Sequence, residues 1–160
     1  LGRADTDLSS PSLETENLFF DGIHFVVRPG HPLLQVNPLR WSDLHAYRWL
    51  VWPKGTPVRN ALDVALAAAG QNLAQDTIET NSVTANLMFL NNSDMIGVAS
   101  VRASLRLAQL NVLSILPMRL SGSGAVAMYW SKEAFMSHAL RLAMNCLREV
   151  AHEYDTESEI

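Results

Sequence analysis

The chain has 160 residues, 48% hydrophobic and 18% charged, with 12 basic against 16 acidic residues and a formal charge of −4. That length and balance suit one ordinary domain, or two small lobes, with a folded core, and they argue against a disordered segment. The basic residues are scattered singly, so the chain by itself offers no clustered phosphate-binding surface, and an isolated DNA-binding domain is excluded.

Along the chain, residues 4–17 are rich in Asp, Ser and Thr and read as a loop. Residues 19–28 gather Phe19, Phe20, Ile23, Phe25, Val26 and Val27 into one mostly buried strand. Pro29-Gly30-His31-Pro32 ends it, because two prolines in four residues cannot continue a ladder. Ser42 is then expected to cap a short helix over residues 43–47, and Trp49-Leu50-Val51-Trp52 is a short β-rich run. A turn at Pro53-Lys54-Gly55 leads to a well-specified helix, with Thr56 as N-cap and Pro57 at the first helical position, where its missing N–H costs nothing. Val58, Ala61, Leu62, Ala65, Leu66 and Ala69 recur at helical spacing, Arg59, Asn60 and Asp63 begin the polar face, and Gly70 stands at the C-terminal cap.

The pattern recurs downstream. Residues 76–79 form a short strand, Thr80-Asn81-Ser82 supplies capping groups, and residues 83–90 continue as a helix stopped by Asn91-Asn92. Residues 95–99 are uniformly apolar, as expected of a central parallel strand covered on both faces. Ser100 caps a helix to residue 110, and residues 112–116 are a further strand. After a flexible turn at residues 121–124 come a strand at 125–130 and a last helix over 132–152, burying Met136, Leu140, Ala143, Leu147 and Val150. The one cysteine, Cys146, lies in that helix as an expected buried, inert thiol; it has no partner for a disulfide or a Cys-based zinc site. The acidic tail from residue 155 is expected to fray. No apolar stretch approaches bilayer-spanning length, Leu1-Gly2-Arg3 opens no signal peptide, and a cytoplasmic protein is expected. The absence of an initiator Met reads as a fragment or a processed product.

Strands alternating with helices predict an α/β fold with a largely parallel sheet and right-handed crossovers. Ligands of such sheets bind beyond the carboxyl ends of strands, against helix starts. Two starts stand out. At Lys54-Gly55-Thr56-Pro57-Val58-Arg59, free amides, a hydroxyl and two cations would receive a carboxylate or phosphate, although Thr56 also serves as an ordinary cap. At Glu79-Thr80-Asn81-Ser82-Val83-Thr84, hydroxyl and amide groups could face a hydroxy acid or sugar, or simply cap the helix. Catalysis finds no support. The histidines include no pair at metalloprotease spacing, and no nucleophile elbow, phosphate-binding loop or dinucleotide fingerprint is present. His31 reads as a turn residue, and no metal or cofactor is implied.

Several stretches together resemble the effector-binding domain of LysR-type transcription regulators. They are Phe25-Val26-Val27-Arg28-Pro29-Gly30-His31-Pro32-Leu33, Ser42-Asp43-Leu44, Trp49-Leu50-Val51, Gly55-Thr56-Pro57-Val58-Arg59, Glu79-Thr80-Asn81-Ser82 and the apolar strand at 95–99, in the family's order. The resemblance implies two Rossmann-like lobes of the periplasmic-binding-protein-like type II fold, the first incomplete. Residues 1–22 would end the first lobe, 23–110 form the second, 111–152 return to the first, and 153–160 be an acidic tail. It also implies a small effector, an organic acid or sugar, bound between lobes, with Lys54, Thr56, Arg59, Asn81 and Ser82 as second-lobe contacts. A homo-oligomer through effector domains would follow, with DNA contacted only through a helix-turn-helix absent from this chain. Asn91-Asn92-Ser93-Asp94 stands where the family has a glycine-rich turn, and Ser100 where it has proline. Two other readings are a free-standing solute-binding protein of the same fold, and a dimerisation module whose pocket is vestigial.

Overall fold

The structure is a computed structural model and describes residues 2–3, 12–118, 120, 124–133 and 135–156. Its contacts divide the chain into two units, Gly22–Ser123 and the pair of segments Leu1–Asp21 and Gly124–Ile160.

The Gly22–Ser123 unit begins with β3 (Ile23–Val27), which follows β1 (Gly2–Arg3) and β2 (Leu13–Asp21) of the other unit. Then come α1 (Trp41–Leu44), β4 (Trp49–Val51), α2 (Pro57–Ala68), β5 (Thr77–Glu79), α3 (Val83–Asn91), β6 (Ile96–Ser100), α4 (Val101–Gln109) and β7 (Ser114–Ile115). The sheet order is β5-β4-β6-β3-β7. β4 pairs in parallel with β5 and β6, whereas β3 pairs antiparallel with β6 and β7, so β3 alone runs against the other four. The expected largely parallel sheet is therefore mixed. Strand–helix alternation announces the parallel crossovers from β4 onward, but β3 is not preceded by a helix, and nothing in its own residues dictates its direction.

Alternation along each strand divides the core into two faces. Phe25, Val27, Trp49, Val51, Ile96 and Val98 point to one face, where α1 and α2 add Leu44, Leu62, Ala65 and Leu66. Val26 and Leu50 point to the other, where they meet Leu90 of α3, Leu107 of α4 and Leu113. The helix starts follow local chemistry. Ser82 and Ser100 accept from the N–H groups of Ala85 and Ala103. α2 starts at Pro57, and Gly70 beyond its end takes φ +63°. At α1 the expectation shifts: Arg40 rather than Ser42 precedes the helix, because the Asp43 carboxylate reaches back 2.8 Å to the Arg40 N–H. Asn91 and Asn92 donate to the carbonyls of Leu87 and Met88 and close α3.

In the other unit, β8 (Gly124–Ser131) lies between β1 and β2, antiparallel to both. Residues 13–17, expected as loop, belong to β2, and the expected single strand at 19–28 is two strands of different sheets separated by Gly22. Polar Glu14, Glu16 and Asn17 tolerate the strand because β2 lies at an edge and its pairing comes from β8, which the local sequence does not announce. The last helix, α5 (His138–Thr156), starts later than expected. The Lys132 N–H is engaged by the Ser12 carbonyl, and the Ser137 hydroxyl accepts from the Leu140 N–H at 3.1 Å. Its inward face carries Met144 and Ala151 with Leu140 and Leu147 beside them; Met136, Ala143 and Val150 are exposed. Cys146, off that stripe, is exposed rather than buried. The residue 4–11 part of the expected loop, most of the turn at 121–124 and the end of the tail lie outside the described residues.

Candidate functional site

The carboxyl ends of the parallel strands β4, β5 and β6 share one edge of the sheet, and each leads into a helix whose first turn returns to that edge. The two helix starts expected from the sequence are neighbours there, and a third, at Ser100, joins them. Sequence reasoning treated Ser100 as a cap alone, although the signal was the same: an apolar strand, then serine, then a helix.

Arg59 departs most from expectation. It is 5% exposed rather than on the polar face. Its Nε donates to Asp63 Oδ1 at 2.9 Å, and its Nη1 donates to the Trp52 carbonyl at 3.3 Å and to Glu79 Oε2 at 3.4 Å. A guanidinium removed from water needs such partners. Trp52, Asp63 and Glu79 thus belong to the site; Asp63 stands one helical turn after Arg59, a spacing the sequence already shows, whereas Trp52 carried no signal, because only the fold brings the ends of β4 and β5 together around one helix turn. Trp52 is itself held by its indole N–H, which donates to the Val98 carbonyl at 3.0 Å.

Thr56 precedes α2 as expected, but its hydroxyl donates to the Pro53 carbonyl at 2.7 Å and makes no cap bond. The first-turn amides of α2 therefore have no side-chain acceptor, which keeps the positive end of the helix available. Lys54 is exposed on the adjoining turn, where Gly55 takes φ +82°. Ser82 is exposed and caps α3 at 3.2 Å from the Ala85 N–H, while its own N–H donates to the Thr80 hydroxyl at 3.1 Å. Asn81 between them is exposed. Lys54, Thr56 and Arg59 thus stand at the end of β4, with Asn81 and Ser82 at the adjacent end of β5, and Arg59 links the two through Glu79.

Histidine chemistry is engaged elsewhere. Fully buried His31 accepts the Leu33 N–H at Nδ1, 3.1 Å away, so its Nε2 donates to the Asp94 carbonyl at 3.2 Å. His24 Nδ1 lies 2.8 Å from Ser104 Oγ, but that hydroxyl donates its proton to the Val101 carbonyl at 2.7 Å. The serine therefore accepts from the imidazole and is not activated by it. Among the described residues no group of three His, Cys, Asp or Glu side chains could hold a metal ion. No described helix is long and apolar enough to cross a membrane.

A mixed α/β sheet with three helix starts on one strand edge has the construction of a small-molecule receptor domain. The model of the LysR substrate binding domain matches residues 1–152, and the chain belongs to that family, the effector-binding part of LysR-type regulators. It is 29% identical to the HTH-type transcriptional regulator PcaQ of Agrobacterium fabrum, over 99% of this chain and 52% of that protein. The chain thus spans about half the length of such curated relatives. Among solved structures, the effector domain of the regulator AmpR of Pseudomonas aeruginosa superposes with a TM-score of 0.76 at 14% identity, covering 95% of this chain and 72% of that one. The effector-binding domain of QuiR in complex with shikimate matches with a TM-score of 0.65 at 17% identity, over 91% and 68%. The periplasmic-binding-protein-like type II fold is thereby established.

Proposed function

We propose that this domain senses a small organic acid or sugar-like effector at the edge formed by β4, β5 and β6, through Lys54, Thr56, Arg59, Asn81 and Ser82. The observation that carries the reading is Arg59, a desolvated cation beside the uncapped start of α2. Its contact to Glu79 is long at 3.4 Å, and the Glu79 side chain is 50% exposed. Charge-assisted pairs favour about 2.7–2.9 Å, so an incoming carboxylate can take the guanidinium while Glu79 turns to solvent. Lys54 adds charge at the rim, and Asn81 and Ser82 offer polar groups to hydroxyls. The shikimate bound by the related domain is a ligand of the same chemistry.

The second effector-binding lobe, expected over residues 23–110, then lies in the Gly22–Ser123 unit, which also takes in residues 111–123, and the other unit is part of the first. The whole protein is a bacterial, cytoplasmic transcription regulator without catalytic activity. It assembles as a homo-oligomer through its effector domains and contacts DNA through a helix-turn-helix outside this chain. Effector binding must differ between two arrangements of that assembly for the signal to pass. Isothermal titration of shikimate and a panel of small carboxylic acids tests the site. Arg59→Lys keeps the charge but loses the fork geometry, so binding should weaken about tenfold, near the value of one charged hydrogen bond. Unchanged affinity in Arg59→Lys and Ser82→Ala, or no binding by any acid, would remove this edge as the site.

A further inference from the structure

The polar groups of the strand edge stand beside an apolar opening. Trp52 after β4, Val58 and Val83 in the first turns of α2 and α3, and Ala103 in that of α4 line one partly open pocket of about 180 Å³. The pocket runs inward along the sheet face to Leu50 and Leu90. Two polar residues of the edge have an immediate chain neighbour in this lining: Val58 precedes Arg59, and Val83 follows Ser82. Trp52 joins the two kinds of surface. Its carbonyl accepts from Arg59 Nη1 at 3.3 Å, and its indole N–H, donating to the Val98 carbonyl at 3.0 Å, fixes the ring in the pocket wall.

Single exposed apolar side chains need no explanation, and Val83 alone, 60% exposed, would carry nothing. Gathered around one concavity next to a desolvated cation, such side chains make the mixed lining of a ligand pocket, apolar wall with a charged anchor. The size agrees, since an apolar cavity of about 150 Å³ holds a benzene-sized body. We infer that the effector is a carboxylic acid built on a compact ring with an apolar face, its carboxylate at Arg59 and the start of α2 and its ring against Trp52 and Val83. The inference rests on the strand-edge reading and narrows it. A ring acid can keep hydroxyls on the side toward Asn81 and Ser82, whereas a sugar hydroxylated all round gives up water at the apolar wall without gaining a partner.

Cyclohexanecarboxylate and glucuronate each join one carboxylate to one ring, and glucuronate carries hydroxyls around it. Isothermal titration of each into the full chain tests the inference. Cyclohexanecarboxylate should bind at least about tenfold more tightly, which the burial of two ring methylenes supplies. Val83→Ser, at an exposed helix start, should narrow that gap by at least about threefold, while Arg59→Lys should weaken the two acids alike. Glucuronate binding as tightly as cyclohexanecarboxylate, or a gap that Val83→Ser leaves intact, would overturn the ring proposal. The strand-edge reading survives either result if Arg59→Lys still weakens both acids. No saturable heat with either acid, or full affinity in Arg59→Lys, removes the site and the ring proposal with it.

Discussion

The two faces of the five-stranded sheet are made from alternate residues of the same strands, yet they pack differently. On the α1–α2 face, Phe25 is fully buried and its ring meets Trp41 and Trp49 edge-on, at centroid distances of 5.7 and 5.2 Å. The Trp49 indole donates to the Leu44 carbonyl at 3.1 Å, so the ring has one permitted position. On the α3–α4 face the strands contribute Val26, Leu50, Gly97 and Ala99 beside Ile78 and Ile115, and the smaller side chains leave a partly open pocket of about 180 Å³ beside Leu90. Aromatic volume with a fixed polar handle locks one face, while aliphatic side chains facing glycine and alanine leave the other able to adjust.

The largest expected effect is on the tight face. Phe25→Ala should cost about 4 kcal/mol, because a buried ring leaves a void its locked neighbours cannot fill. Leu90→Ala should cost nearer about 2 kcal/mol, since it removes a smaller side chain and its aliphatic neighbours can settle into the space. Urea unfolding midpoints measure both, and equal losses would erase the distinction between the faces.

A smaller effect probes the loose face by addition. A Cβ on Gly97 would lie 2.9 and 3.1 Å from the Leu90 methyls and 3.3 Å from Val26 Cγ2. Leu90 can turn its methyls toward the cavity, so Gly97→Ala should cost no more than about 1 kcal/mol, the low end for overpacking. A loss above about 3 kcal/mol by the same measurement would mean that this face is as rigid as its opposite.

The smallest effect supplies a control away from the five-stranded sheet. The Glu16 carboxylate accepts from Arg148 Nε and Nη2, both at 2.7 Å. That hydrogen bonding holds the Glu16 pKa below the ordinary glutamate range against a lesser opposing desolvation. With the folded value depressed, the contribution of the pair is complete above the unfolded pKa and is lost as the pH falls through the folded value. Glu16→Gln should therefore lower stability slightly at neutral pH and converge with the native protein in acid, as read by thermal midpoints across pH. A constant difference at all pH values would show that the ionised pair contributes nothing. Both groups are partly exposed, so the effect is modest.

Elements whose signals are local were legible in the sequence. The α2 reading rested on Thr56, Pro57, the helical apolar spacing and Gly70, and the observed helix is Pro57–Ala68 with Gly70 at positive φ. The residue 13–17 part of edge strand β2 was missed because its stability comes from pairing with β8, more than a hundred residues away. The inward stripe of α5 was misplaced in part: Leu140 and Leu147 lie on it as expected, but Met144 and Ala151 replace Ala143 and Val150, because each pair fits a helical spacing and only the packed sheet selects one. Of the candidate site, the two helix starts were legible. The burial of Arg59, its pairing to Glu79 and the role of Trp52 were not, since each depends on which strands lie side by side.

The family and its α/β order were settled by the sequence, because the motifs at residues 25–33, 55–59 and 79–82 keep the family's arrangement along the chain. So were the helix starts, since caps and first-turn residues act over three or four positions. Tertiary structure alone decided the reversed direction of β3, the desolvation of Arg59, and the packing difference between the faces. Strand direction, burial and cavity volume arise from contacts between residues distant in the chain, and local sequence does not encode which distant residue arrives.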